Sequence, residues 1–349
     1  MSDYKKCAVK TNCCIVCAHP FWSDRLGSGT LIRSRYKMLS NLFDEVFVLF
    51  ITRSEYRCPL KGATMQLRGP FTKNHKRAVQ KFLDDKDISL CYFSYDIFGE
   101  LVRSLNCLKF VEIHDIMHLR QNSFTAFNEI PPVQKSKDEE LSQLQIYDSV
   151  ICINIEEASY LESHGLKSVF LPPSADIHQI VQPEKGLYAG MIASSAKPNA
   201  DGLQQIINCY SHLDQLIFAG SIGVSEAATI EMFPSDRITN LRYVDNPIDF
   251  YSQINIALVP IRFGAGLKIK LLEALSYGCN VLCTSHSAQG FPKGIEDVVT
   301  IADEPMSWEI DIFERSKLIS KEKIHDYVVK NFSTTQCEHI LLDLLSKTQ

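Results

Sequence analysis

Long apolar runs are missing from this 349-residue chain. Nothing in it approaches the ~18 consecutive apolar residues that a membrane-spanning helix requires. The apolar stretch 13–18 is also too short for the core of a signal peptide, so no secretion signal is expected. A surplus of positive charge is missing too. Lys and Arg number 36 against 41 Asp and Glu, giving a net charge of −5. That balance argues against general nucleic-acid binding. There is no short-period repeat and no low-complexity segment. Metal-ligand pairs are scarce: Cys14 and Cys17 form a Cys-x-x-Cys followed by His19, but no second pair stands at matching spacing, so no zinc site is expected.

What remains is ordinary globular usage, with 45% apolar and 22% charged residues. The length suits two domains. Several of the twelve cysteines sit inside apolar strand-like runs. There a free thiol packs as a small hydrophobe, which points to a reduced, cytoplasmic protein. Short β-branched or aromatic runs alternate with helical spacing throughout. Strands are expected at 13–18, 46–52, 63–67, 88–93, 110–114 and 149–154. A second set is expected at 187–191, 216–219, 238–244, 256–261, 281–285 and 298–302. Most are continuous rather than alternating, as parallel strands buried on both faces should be. Helical spacing fills 28–42, 73–83, 200–210 and 267–276, whereas 131–140 reads as a polar, mobile loop. The fold class is therefore α/β with doubly wound sheets. Leu171-Pro172-Pro173 punctuates the pattern, which restarts at Gly186. An N-terminal domain over 1–172 and a C-terminal domain over 173–333 follow, with the helix at about 334–349 able to pack back on the first.

The most informative stretch runs from Val259 to Gly278. A strand ends at Pro260, Gly264 and Gly266 make a tight loop, and a helix starts near Leu267. Unpaired backbone N–H groups and the helix dipole favour an anion there, such as a diphosphate. Lys268 and Lys270 lie in the first helical turn, where the dipole disfavours a cation unless a bound anion offsets it. Glu273 follows, and a buried carboxylate there can accept two hydrogen bonds from a ribose diol. The alternative is that Lys270 and Glu273 form a surface ion pair and the glycines only make a turn.

Pro260, Gly264, Gly266, Lys268, Lys270, Glu273, Ala274 and Gly278 closely resemble the donor-site signature of retaining glycosyltransferases of family 4, in the branch with Gly-x-Gly-x-Lys. Tyr188-Ala189-Gly190-Met191, Lys197-Pro198-Asn199 and Gly202 resemble the opening of the family's donor domain. The stretch from Ser285 to Gly290 resembles a later loop. The resemblance is strongest over 186–291 and collinear over 14–175. It implies the GT-B fold, two Rossmann-like domains facing across a cleft. It implies donor contacts at Gly190, Lys197, Asn199, Gly264, Ala265, Gly266, Leu267, Lys268 and Glu273, with Lys268 and Glu273 in catalytic roles. Gly27, Ser28, Gly29 and Arg33 fall on the acceptor side, and His114, before Asp115, is both catalytic and acceptor-side. Many members carry an upstream sugar-contacting glutamate where this chain has Ala265, so the sugar here must rest on backbone N–H groups of 264–267.

The resemblance implies a hexosyltransferase-type enzyme of surface polysaccharide or glycoconjugate synthesis. It would move a sugar, with retention, from a nucleotide-diphosphate donor to a glycan or lipid-linked acceptor. The nucleotide sugar is a co-substrate; no cofactor and no metal are expected. Asp85-Lys86-Asp87 mimics the Asp-x-Asp metal motif of another glycosyltransferase fold but reads as a solvated turn. A sugar-nucleotide epimerase and a non-catalytic sugar-nucleotide-binding protein are the other readings. A nicotinamide oxidoreductase is disfavoured because Ile32 stands where a third fingerprint glycine belongs.

Charge is unevenly spread. Residues 1–81 hold fifteen Lys and Arg against five Asp and Glu, about +10, leaving about −15 for the rest. This favours an anionic acceptor or peripheral contact with the anionic inner face of a membrane, unless the charge only solvates the surface. Arg25, Arg33 and Arg35 could instead grip a charged sugar. The membrane version predicts co-sedimentation with anionic vesicles that is lost at high salt, since screening acts over ~8 Å at physiological ionic strength. Indifference to anionic vesicles at low salt rules it out.

Overall fold

The computed structural model describes residues 11–19, 21–22, 27–52, 64–68, 73–233 and 236–348. Arg25 lies outside them. The chain divides into two compact units. The first comprises Met1–His118, Val133–Ser174 and Thr334–Gln349; the second comprises Leu119–Pro132 and Ala175–Ser333.

The first unit is built on a parallel sheet of seven strands: β1 (Asn12–Cys17), β2 (Val46–Thr52), β3 (Thr64–Arg68), β4 (Ile88–Ser94), β5 (Leu108–Ile113), β6 (Ser149–Cys152) and β7 (Ser168–Phe170). Their order is β3-β2-β1-β4-β5-β6-β7. The six expected strands all form. β7 is additional: three residues are too few to show a run in the sequence. Residues Cys13 to Cys17 are almost wholly buried, so helices and loops cover both faces of β1. Cys14 and Cys17 are buried within it, and neither is part of a disulfide. The C-terminal helix, Thr334–Thr348, groups with this unit. Its Cys337, Leu341 and Leu345 join Ile15, Leu39 and Val48 in one apolar cluster.

Helix Gly27–Leu42 follows β1. The glycine pair thus stands in its first turn, not in a loop ahead of it. Arg35, on its inner face, is 1% exposed and meets the equally buried Glu112 at 2.6 Å. Its guanidinium also donates to the carbonyls of Leu171 (2.7 Å) and Pro172 (2.9 Å). Tyr92 Oη donates to the same carboxylate at 2.7 Å. Burial alone would raise the Glu112 pKa; Arg35 first, then His114 and Tyr92, outweigh it and hold it at about 2. Arg35 is therefore a structural ion, not a grip for a charged sugar.

The polar stretch 131–140 is not all loop. Ser136 caps the helix Lys137–Leu144 by accepting from Glu139 N. Glu140 turns inward, 2% exposed, and its carboxylate accepts from Met117 N, His118 N and His118 Nδ1 at 2.7–2.9 Å. Three acceptances satisfy a buried carboxylate, a pairing that local polarity cannot reveal.

The second unit carries six parallel strands: β8 (Tyr188–Ile192), β9 (Gln215–Ala219), β10 (Ile238–Arg242), β11 (Ile256–Val259), β12 (Asn280–Cys283) and β13 (Thr300–Ile301). Their order is β10-β9-β8-β11-β12-β13, and all six were expected. Segment Leu119–Pro132, placed by sequence with the first domain, groups with this unit instead. Phe124 packs edge-on to Phe263 and Phe127 stacks on it, at 5.1 and 4.9 Å.

In both sheets the strand order reverses, at β1/β4 and at β8/β11. Ligands of doubly wound folds bind beyond the strand carboxyl ends at such points. The buried ion pair yields a stability prediction. Removing one partner, as in Arg35→Met, should cost about 3–5 kcal/mol because an uncompensated carboxylate remains. For Glu112 the folded pKa is depressed, so its contribution is present above about pH 4.3, the unfolded value, and is lost as pH falls toward 2. Chemical denaturation of parent and variant across pH 2–7 measures both.

Candidate active site

At the β8/β11 switch point the chain leaves β11 through Pro260 into the glycine loop. Gly264 has φ +118° and Gly266 φ +72°. Side-chain-bearing residues rarely adopt these angles, so the turn requires both glycines. The helix Ile269–Ser276 begins two residues later than expected, with Lys268 as its N-cap. Lys268, 9% exposed, folds back so that Nζ donates to Gly266 O at 3.0 Å and Ala265 O at 3.4 Å. Its ammonium is thus held against the loop, beside the helix N-terminus. Leu267 is buried beneath it.

Lys270 Nζ donates to Asn199 Oδ1. Asn199, itself buried, is tied by Nδ2 to Ser194 O and Oγ, both at 2.9 Å. The loop after β8 and the helix after the glycine loop are therefore joined through one amide. Burial and the Lys268 charge push the Lys270 pKa down to about 7, against Glu273. Burial pushes Glu273 up to about 7, opposed by Lys270. Beyond burial, Glu273 also raises the hydroxyls of Tyr251 and Tyr277, whose rings stack at 4.5 Å. Neither member of this pair is comfortable in its charged form: the site carries polar groups without full compensation, a pattern of functional sites.

Three residues of this neighbourhood were not singled out from sequence. Ser123 Oγ accepts the Gly264 N–H at 2.8 Å. Glu129 pairs with Lys197 Nζ at 3.2 Å, so the Lys197 ammonium already meets a carboxylate. Burial first, then the Lys268 charge, push the His286 pKa down to about 4, opposed by the Gly264 backbone. Nothing in local spacing marks these residues; the chain brings them in from elsewhere. Gly190 has a packing role. A Cβ there would stand 2.8 Å from Phe250 Cζ and 2.9 Å from Ile217 O.

In the first unit, three side chains follow the strand ends around the β1/β4 switch point: His19 after β1, Tyr95 after β4 and His114 after β5. Tyr95 Oη and His114 Nδ1 are 2.5 Å apart, and the His19 and Tyr95 rings are 5.4 Å apart. Tyr95 sits at φ +71°, a strained conformation for an aromatic residue. His114 Nε2 has no hydrogen-bond partner and lies 3.6 Å from Glu112 Oε1. Burial first, then His114, lower the His19 pKa. Arg33 Nη1 donates to Phe21 O at 2.5 Å and Nη2 to Thr30 Oγ1 at 3.0 Å. Gly27, Ser28 and Gly29 form the start of its helix. Among the described residues no group of three or more His, Cys, Asp or Glu is placed to hold a metal ion. Among the described residues no helix is long and apolar enough to cross a membrane.

Residues 187–309 match the family model described as glycosyl transferases group 1. The second unit carries a group 1 glycosyl transferase signature. No curated protein matches the chain in sequence. Solved structures resemble it over nearly its whole length. Sucrose-phosphate synthase from Thermosynechococcus elongatus has a TM-score of 0.72 at 13% identity, covering 97% of this chain and 99% of that one. Anabaena HepE in complex with UDP and glucose gives 0.69 at 10% identity, covering 96% and 99%. The lipopolysaccharide outer core galactosyltransferase WaaB gives 0.65 at 12%, covering 97% and 99%. At these identities the likeness establishes the fold, which is GT-B. The glycosyl transferase match spans the glycine loop, Lys270, Glu273 and His286.

The raised Glu273 pKa fixes a sign. Its folded value of about 7 exceeds the unfolded ~4.3, so its share of stability is full below ~4.3 and lost as pH rises to about 7. Glu273→Gln removes that loss. Relative to the parent, the ligand-free variant should gain stability from pH ~4.3 to about 7 and level off above. Thermal unfolding of both proteins at pH 5 and pH 8 reads this. A variant less stable than the parent at pH 8 contradicts it.

Proposed function

We propose that this chain is a glycosyltransferase that takes its sugar from a nucleotide diphosphate bound by the second unit. The observation that carries the reading is the glycine loop at the β8/β11 switch point. There positive-φ glycines, the buried Lys268 and a helix N-terminus converge. This arrangement suits a diphosphate, whose charge grows as the bond to the sugar breaks. Glu273, about one helical turn in, is the residue for the ribose hydroxyls. The anomeric carbon's bond to the phosphate oxygen breaks and a bond to the acceptor hydroxyl oxygen forms. The acceptor proton passes to the departing phosphate, so no side-chain nucleophile is required and the configuration is retained.

Fixed amides and lysines supply the positive field, so the reading needs no divalent ion. The acceptor is a glycan or lipid-linked sugar, received on the first unit near His114 and the start of helix Gly27–Leu42. The HepE structures hold UDP and UDP-glucose, which makes uridine donors the first to try.

The test is a thermal-shift screen of nucleotide sugars in EDTA. A true donor at 100 times its dissociation constant should stabilise the protein by ~2.7 kcal/mol. Glu273→Ala should weaken that donor at least about tenfold, through the loss of charge-assisted bonds worth ~1.5–3 kcal/mol each. The reading fails if no nucleotide or nucleotide sugar stabilises the protein. A donor bound only when a divalent ion is added defeats the metal-free part alone.

A further inference from the structure

Segment Leu119–Pro132 groups with the second unit and begins inside the helix Met117–Ala126. That helix closes through Asn128, at φ +57°. Asn128 N donates to Thr125 O and Glu129 N to Phe124 O, both at 3.0 Å. This is the bond pattern of a left-handed helix end, which turns the chain sharply. Ser123 precedes the turn and Glu129 completes it. Phe124, 2% exposed, packs edge-on to Phe263, and Phe127 stacks on the same ring. These apolar contacts hold the segment in place without using its polar side chains.

Two of those polar side chains meet groups suited to a phosphate. Ser123 Oγ accepts the Gly264 N–H at 2.8 Å. Glu129 Oε1 lies 3.2 Å from Lys197 Nζ. The two contacts belong to one place. A Cβ on Gly264 would stand 3.7 Å from Pro198 Cγ, so the amide borders the start of helix Lys197–Ile206. That helix has no acidic residue in its first turn and no side-chain cap. Its N-terminus and Lys197 together favour an anion, and Glu129 supplies one from elsewhere in the chain. The Ser123 oxygen does the same for the glycine loop without a charge. The Lys197 and Glu129 side chains are 58% and 31% exposed, so a ligand from solvent can reach both.

We propose that Leu119–Pro132 is an internal stand-in for the donor's diphosphate, its Ser123 oxygen and Glu129 carboxylate holding the Gly264 amide and Lys197 until a nucleotide sugar displaces them. The inference rests on the donor reading above and assigns a regulation of that same site. Bonds made in the free protein and given up on binding count against the ligand, because a ligand gains only the difference between the two states. The segment thus sets how much nucleotide sugar is needed to fill the site. Its oxygens are the cost of entry, and its phenylalanines keep it nearby to resume both contacts when the nucleotide leaves. The sign of the effect is the distinctive part: removing either oxygen should tighten nucleotide binding, whereas removing a group that contacts the nucleotide should weaken it.

Calorimetry of UDP binding, or of GDP or ADP where UDP does not bind, tests this on the full chain. Ser123→Ala should bind about two- to tenfold more tightly than the parent, the worth of one neutral hydrogen bond. Glu129→Gln should gain up to about fivefold, the worth of an exposed ion pair. The Glu129→Gln gain should shrink in about 1 M salt, where screening acts over ~3 Å, and the Ser123→Ala gain should persist. Thr125→Ala controls for helix propensity: its hydroxyl donates to Gln121 O within the same helix, and it should bind as the parent does. Amide exchange at Gly264 gives a second reading. It should quicken in ligand-free Ser123→Ala and slow again when the nucleotide binds. Ser123→Cys, a weaker acceptor of similar size, serves should Ser123→Ala fail to fold. Equal or weaker binding by the Ser123 and Glu129 variants overturns the proposal and leaves the donor reading intact. Failure of UDP, GDP, ADP and every nucleotide sugar to bind parent and variants overturns both.

Discussion

An all-parallel sheet puts the carboxyl ends of its strands along one edge. Everything chemical in this protein is arranged by that constraint. Strands covered on both faces leave no room for a polar pocket within the sheet, and loops at the opposite edge serve as connections. Functional side chains therefore follow the last residues of strands, above all where the strand order reverses. In the second unit these are the loop from Ser194 to Asn199 after β8 and the glycine loop after β11. In the first they are His19, Tyr95 and His114. The glycines at 264 and 266 extend the same logic to the backbone, since only there does the chain turn sharply enough to bring Lys268 back over its own loop.

The two units use burial to opposite ends. Arg35 and Glu112 are both out of water, yet each stays firmly ionised because the opposite charge lies 2.6 Å away and each takes further hydrogen bonds. Pairs of this kind hold a fold together without doing chemistry. Around the glycine loop, burial outruns compensation. Lys270 is driven toward its neutral form by burial and by Lys268, and Glu273 is driven the same way by burial. His286 is likewise held neutral. Groups so placed gain from an arriving anion what the protein alone does not give them. The ligand-free site is thus less stable than its own chemistry would permit, as preorganised binding sites are.

Much of this was legible in the sequence, and the reasons are specific. Twelve strands could be read because continuous apolar runs such as Cys13 to Cys17 can only be buried on both faces. The glycine loop could be read because its amides, lysines and helix start are contiguous. What escaped was long-range pairing. Arg33 and Arg35 look alike in sequence, but two positions along a helix put one on the Phe21 carbonyl and the other on Glu112, 77 residues away. Glu140 reads as loop polarity until His118 is placed beside it. Lys197 reads as a free cation until Glu129 meets it. His286 stands in a stretch that was noticed, but its Nε2 is buried without a hydrogen-bond partner only once β12 lies against β11.

Segment Leu119–Pro132 shows how far such pairing reaches into the candidate site. It contributes three anchors to the second unit: Ser123 on the Gly264 N–H, Glu129 on Lys197, and two phenylalanines on Phe263. Arg262 adds a cation over the Phe127 ring at 5.4 Å while holding Asp201. Two of these anchors take groups that could otherwise meet an anion, an amide of the glycine loop and a lysine at the start of helix Lys197–Ile206. They differ in strength. The Lys197–Glu129 pair is solvent-exposed, and exposed pairs are worth ~0–1 kcal/mol, so a diphosphate can outcompete it. The Ser123 bond is shielded and neutral, and its loss leaves an amide that a phosphate oxygen would satisfy at least as well. The aromatic contacts involve neither group. On the reading proposed above, an entering diphosphate would displace the polar anchors one at a time while Phe124 and Phe127 keep the segment on Phe263, so Leu119–Pro132 would wall the donor rather than exclude it.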